Sequence, residues 1–238
     1  MKRPMDWSQA GGVLIAVLAG ALAMMVLTPR MLGLATGPEV EIITWLKRTE
    51  SNGLTLRLAG TPEPLVGREH HFARITVDVA PGGERAVAWA TLDFKGRLGR
   101  TDVSSLGVER VPFVRRDREW VPEGQSAPRL AAVVGVLETR RRALDAGVRE
   151  ALGALLAPEA PAAMPEPARE ELERALSLRK RRYQVSAWYV RLERDEAVAS
   201  EQWRLEGELP SQPVDDRGLR QLSLIRREEE FFFSPSLM

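Results

Sequence analysis

The sequence predicts an α+β protein: an N-terminal transmembrane helix followed by two related units, each with helices packed on a curved antiparallel sheet. Three observations predict it. An uncharged, apolar stretch opens the chain. The segment Ala86–Pro122 returns without a gap as Ala197–Phe233, an offset of 111 residues. Around each copy, helical periodicity gives way to apolar alternation with period two. A repeat of this length reads as a duplicated domain, because solenoid units are much shorter.

The N-terminal element rests on Trp7–Pro29, which carries no charge and has an apolar centre, Gly11–Leu27. As helices the centre covers about 25 Å and the full stretch about 34 Å, enough to span a bilayer. Lys2 and Arg3 precede it, and only Arg30 follows before the acidic Glu39 and Glu41. The positive-inside bias then predicts a cytoplasmic tail over 1–10, an anchor over 11–29 and a linker over 30–38. The bulk of the chain would lie outside the cytoplasmic membrane, periplasmic or extracellular. Trp7 would sit at headgroup level. Ala21-Leu22-Ala23 is also a small-x-small match to a signal-peptidase site, a reading that exports the same residues. Met24–Leu27 would then leave a greasy new terminus, which favours the uncleaved anchor.

The first unit is placed at 39–124. Val40, Ile43 and Leu46 give Glu39–Thr49 a helical spacing that Gly53 ends. Leu54–Leu58 reads as a short helix or a strand, and Thr61–Pro64 as a breaker. Strands follow at Phe72–Val79, Arg85–Phe94, Leu106–Arg115 and Glu119–Val121, with a turn at Pro81-Gly82-Gly83 and a loop at Arg100–Ser105. The second unit, 125–238, opens with a helix over Arg129–Ala146, capped by Ser126 and closed by Gly147. A second helix over Val148–Ala157 stops at Pro158, and a third covers Arg169–Arg182. The strands Tyr183–Leu192, Glu196–Leu209 and Leu219–Arg227 come next, and Phe231–Phe233 ends the series.

The repeat keeps one register. Ala86-Val87-Ala88 recurs as Ala197-Val198-Ala199, Gly96-x-Leu98 as Gly207-x-Leu209, and Gly107 as Gly218. Ala86, Ala88, Leu92 and Phe94 share a strand face, and Ala197, Ala199, Trp203 and Leu205 share the matching one. The helix-ending glycines Gly53 and Gly147 are only 94 apart. The first unit is therefore shorter by about the length of the third helix.

Helix, short helix, helix and a run of long strands resembles the NTF2-like (SnoaL-like, cystatin-like α+β cone) superfamily. The likeness is best over Ala131–Met238. There, Val134–Gly147 followed by Val148–Pro158 looks like the family's first long helix, its acidic-small-Gly break, its short Ala/Leu helix and a proline. Over Glu39–Val121 it holds only as a truncated copy. The resemblance implies sheets that pack face to face in dimers, a need that a tandem could meet within one chain as a pseudo-dimer. The layout of tail, single helix and exported NTF2-like region is similar to that of membrane-anchored secretion-system components.

Composition excludes several chemistries. The net charge of +1 gives no field to draw nucleic acid. With no cysteine, disulfides, thiolate metal sites and a Cys nucleophile are absent. His70 and His71 are the only histidines and, being adjacent, point to opposite sides of a strand, so neither a metal nor another cofactor is expected. No serine lies in a Gly-x-Ser-x-Gly turn. Enzymes of the resembled family place an acidic base inside the cone. Here Asp195, Glu196, Asp215, Asp216 and Glu228–Glu230 read as turn or edge residues, so no catalytic residue is assigned. Tyr183, Trp188, Tyr189 and Trp203 are the candidate lining of a cone that binds a small hydrophobic molecule; packed core is the competing reading. The basic runs Arg140–Arg142 and Arg179–Arg182 read as solvated helix faces, the second placed to meet a helix C-terminus. The favoured role is non-enzymatic, binding partner proteins or assembling an envelope complex. The alternative is small-molecule binding or lyase/isomerase-type activity in the second cone.

Overall fold

A computed structural model describes residues 37–156, 166–210, 212–228 and 230–234. The expected anchor and linker lie outside these residues, and no helix among the described ones is long and apolar enough to cross a membrane. The chain divides into Met1–Glu41 and one compact unit from Ile42 onward.

Helix α1 (Pro38–Asn52) precedes β1 (Thr55–Leu56), β2 (Leu65–Val79), β3 (Arg85–Leu98), β4 (Thr101–Arg116) and β5 (Glu119–Pro122). Helices α2 (Pro128–Ala146), α3 (Arg149–Ala154) and α4 (Glu166–Ser177) follow. Strands β6 (Arg179–Leu192), β7 (Glu196–Leu209), β8 (Gln212–Arg227) and β9 (Glu230–Phe233) complete the series. The bounds of β3, β4 and β5 recur at the offset of 111 as those of β7, β8 and β9. No described helix of the first half corresponds to α4.

Two separate curved sheets were expected, packed as a pseudo-dimer. Instead the nine strands among the described residues form one sheet, in the order β1-β2-β3-β4-β6-β7-β8-β9, with β5 also on β4. Every pairing is antiparallel except the joint, where β4 and β6 run parallel from Asp102 opposite Ala187 to Gly107 opposite Leu192. A parallel pair needs a long crossover, and α2 to α4 supply it. At this seam a Cβ on Gly107 would lie 2.1 Å from the Leu192 carbonyl oxygen, so only glycine lets the strands meet. Thr101 Oγ1 adds a bond of 2.8 Å to the Val185 carbonyl.

Of the segment Arg100–Ser105, expected as a loop, only Arg100 lies in a turn; Thr101–Ser105 belongs to β4, and Gln212–Gly218 belongs to β8. Small polar residues on the inner face hid the alternation: along β4, Thr101, Val103 and Ser105 point in and are buried. The third helix ends at Ser177, and Arg179–Arg182 already forms β6. Arg181 accounts for part of that basic run. Its guanidinium donates to the Ala175 and Leu176 carbonyls at the end of α4 and to the Asp145 carbonyl at the end of α2. These are orphan helix-end acceptors.

Helix α2 is buried on nearly all sides, including Arg129, Glu138 and Arg140. Such a helix lies within a core and not on one. Ser126 does not cap it; the N-cap position is Ala127, with no side-chain bond. The fully buried Glu109 of β4 caps it from across the fold, accepting the Arg129 N–H at 3.1 Å and the Leu130 N–H at 2.6 Å. Arg129 in turn donates to the carbonyls of Val108, Glu193 and Arg194. It thereby clamps the β6–β7 turn to β4. In the first half, Glu50 of α1 accepts the Phe72 N–H at 2.7 Å and Lys47 donates to the Phe72 carbonyl. These bonds occupy backbone groups of β2 that no strand among the described residues takes up.

Candidate functional site

The β6 bulge between Val185 and Ala187 shifts the strand by one residue. Tyr183, Val185, Trp188 and Val190 can then all face inward despite their odd spacing, and all four are buried. Opposite them on β7, the inward row is Ala197, Ala199, Glu201, Trp203 and Leu205, with Trp188 paired to Glu201 and Val185 to Trp203. On the far side, Arg220 of β8 is paired to Glu201. Helix α2 lays Arg140 over this cluster.

Glu201 has no solvent exposure, and the chain's own donors surround its carboxylate. Oε1 accepts the Tyr183 hydroxyl at 2.5 Å and Arg140 Nη1 at 3.0 Å; Oε2 accepts Trp188 Nε1 at 3.0 Å. Arg220 Nε lies 3.7 Å from Oε1. Burial alone would lower the Arg140 guanidinium's affinity for its proton, but the Glu201 charge overcomes this and raises it. Burial pushes the Tyr183 phenol well up, so it stays neutral and donates. Aromatic rings close the cluster. Tyr183 stacks on Trp203 at 6.2 Å, and the Arg220 guanidinium sits 4.3 Å from the Trp203 ring centre. A cavity of 40 Å³ lies between Arg140, Tyr183, Arg220 and α4. That is room for water and not for a hydrophobic ligand of ordinary size.

The structure thus brings together three of the four expected lining residues, Tyr183, Trp188 and Trp203. Tyr189 is not among them: it faces the other side of the sheet and is 46 % exposed. Glu201, the centre of the cluster, was missed although its signal was present. It sits between Ala199 and Trp203 on the very face that the alternation marks as apolar. Asp195 and Glu196 do lie at the hairpin. Asp215 pairs with Arg204 at the surface. His70 is buried and His71 exposed, on opposite sides of β2.

Beside the cluster lies a groove of 840 Å³. Leu98, Thr101, Val185 and Trp203 line its interior, and Glu138 and Arg141 of α2 also border it. Glu138 holds Arg141 at 2.7 Å and Arg142 at 2.7 Å. Burial pushes its carboxyl up, but these two guanidiniums more than offset that and hold it below the usual range. Arg100, Arg204 and Arg217 also contribute to the lining. Its size suits a ligand or a peptide side of a partner, and both halves of the chain build it.

Helices α2, α3 and α4 followed by four strands wrapped around an inward cluster reproduce the element order that the sequence led us to expect in the second half. That order is the one the NTF2-like resemblance implies for the second half. Similar solved structures include a ketosteroid isomerase-like protein from Shewanella frigidimarina, 16% identical, with a TM-score of 0.37, covering 43% of this chain and 90% of that one. Another is an NTF2-like protein involved in plasmid conjugation, 8% identical, with a TM-score of 0.31, covering 71% of this chain and 75% of that one. Overlaps of this extent say nothing of activity. No protein-family model matches the chain, and no curated protein does. Within the cluster the Glu201 carboxylate is held on both oxygens by the chain's own donors.

Proposed function

We propose that this chain is a non-enzymatic NTF2-like binding protein, held at a cytoplasmic membrane by its N-terminal helix and facing outward. In this reading it docks a partner protein of an envelope complex in the groove. The observation that carries the reading is the burial of Glu201 among the chain's own donors. A general base must reach bound substrate, whereas this carboxylate has no solvent exposure, and Tyr183, Arg140 and Trp188 occupy three of its acceptor positions. The groove, by contrast, has arginines and an open interior among its lining. The uncharged Trp7–Pro29 stretch supports the membrane tether, and the recurrence of the β3–β5 bounds as β7–β9 supports a tandem origin.

The test is site-specific photo-crosslinking in intact membranes, with the crosslinker at Ser186 or Gln202 in the groove and at Asp93 on the outer sheet as a control. Discrete adducts to one partner from the groove alone are expected. Equal labelling from Asp93 would reject the groove as the docking site. The buried carboxylate among aromatics is the one observation favouring the alternative, a small-molecule or isomerase-type cone. Saturable quenching of Trp188 and Trp203 fluorescence by a hydrophobic ligand, lost on Glu201→Gln, would establish it instead.

A further inference from the structure

Strands β4 and β8 correspond at the offset of 111. The partners of Trp89 and Ser200, themselves 111 apart, are Thr76 and Tyr189, so β2 and β6 correspond at 113 in their second halves. Within the chain, β4 offers one edge to β6 in parallel. The equivalent edges of β8 and β2 receive no such strand among the described residues. On β8, β9 takes only Leu224–Arg227; on β2, β1 takes only Leu65 and Val66.

We propose that a second copy of this chain adds Thr76–Val79 of its β2, in parallel, to Asp215–Gly218 of β8. The contact repeats between molecules the junction that β4 and β6 make within one. An unpaired edge is a template for such addition.

Three features of the edge fit this occupant. The first is Gly218. Its counterpart Gly107 is glycine because a Cβ would strike the backbone of Leu192 at 2.1 Å. A Cβ on Gly218 would meet only Trp203, at an ordinary 3.5 Å, so the single chain gives no steric reason for glycine there. An incoming strand gives one once Gly218 takes the φ of 159° that Gly107 holds, the turn of backbone that aims a Cβ at the neighbouring strand. The second is charge. Transposing the internal register sets Arg217 opposite Asp78, where the internal junction has Leu106 opposite Arg191, and both residues are exposed. The third is Leu219, 79 % exposed, which holds the position of Val108, half-buried beside the internal seam. Pro213 brings no N–H to the ladder, so the pairing rests on Asp215–Gly218. Because the two edges differ, copies join head to tail, and the assembly is a ring or a filament and not a two-fold dimer.

The chain has no cysteine, so a crosslink can be placed cleanly. Partner positions in a parallel pair lie within the span a disulfide bridges. The experiment uses the full chain purified in detergent. Asp78→Cys and Arg217→Cys in one chain should give, on oxidation, a ladder of dimer, trimer and higher species. The two single variants mixed should give only the heterodimer, bridged from position 78 of one copy to position 217 of the other. Failure to crosslink, or homodimers of the Arg217→Cys variant alone, would overturn the proposal. In parallel, Gly218→Val should keep the circular dichroism and melting of the parent yet weaken association at least tenfold by light scattering. Unchanged association would sink the idea. Arg217→Glu should also lose association and regain it with Asp78→Arg.

Discussion

Glu201 and Arg140 show how a buried charge can be structural. Both are almost wholly removed from water, and each is tolerated only because the other is present. Removing one leaves the other uncompensated. Glu201→Ala should therefore cost about 3–5 kcal/mol, read as a lower midpoint in urea, whereas Tyr183→Phe, which removes one donor, should cost about 1 kcal/mol. If Glu201→Ala were neutral, the carboxylate would not be the ion pair's anchor. Glu109 makes a different prediction. Its carboxyl is pushed up to about 7 by burial, against the pull of the Leu130 and Arg129 N–H groups. A carboxyl whose folded pKa exceeds its unfolded value favours the folded state most when protonated. Its contribution is thus greatest below about pH 4.5, falls as pH rises to about 7, and is flat above, a span of about 3 kcal/mol. His70, whose pKa burial lowers, acts in the opposite sense as pH falls through its ordinary range. The difference between parent and Glu109→Gln isolates the carboxyl: the parent's advantage should shrink from pH 5 to pH 7. A difference independent of pH would refute the assignment.

At the level of elements, the seam between β4 and β6 depends on one position. Gly107→Ala would force a Cβ into the Leu192 backbone, so the strands must part, and a loss of stability above about 3 kcal/mol is expected, beyond ordinary overpacking. The matched change Gly218→Ala should cost far less, and equal losses at the two glycines would remove the seam as the cause. Much of this architecture was legible. Period-two alternation located β3, β6 and β7, and the offset of 111 located β9 from β5, because strand faces and glycine bends are written in residue type. Three things were not legible. The start of β4 carries small polar residues inside, so its face shows no hydrophobic signal. The cap of α2 comes from Glu109, far along the chain, where no local pattern can point. The parallel joint depends on which edge meets which, and alternation describes faces, not edges. Glu201 was readable in principle: a lone charge on an apolar face, matched by Arg220 inward on β8 and Arg140 on α2. Tyr189 shares its strand with the inward aromatics, and the bulge at Ser186 is what sends it outward.

On the scale of the molecule, the decisive fact is that one sheet runs through both halves of the repeat. A duplicated chain with two self-contained units would unfold in two steps, the weaker half first. Here the seam, the Arg129 clamp and the α2 cap by Glu109 each join residues before position 124 to residues after 125. Cooperativity follows from such shared contacts. Urea unfolding should therefore be a single transition, with fluorescence from Trp188 and Trp203 and far-ultraviolet dichroism coinciding. The sharper test divides the chain at the expected boundary. A fragment of 125–238 would bare the β6 edge from Ala187 to Leu192 and leave the Arg129 and Leu130 N–H groups of α2 without their carboxylate. Uncapped helix donors and an apolar, unpaired edge both favour association over folding. The fragment should accordingly aggregate or remain without a sharp melting transition, and adding 37–124 should restore one. A fragment that melts cooperatively alone, with the parent's midpoint, would make the second half an autonomous domain and reduce the common sheet to an incidental contact.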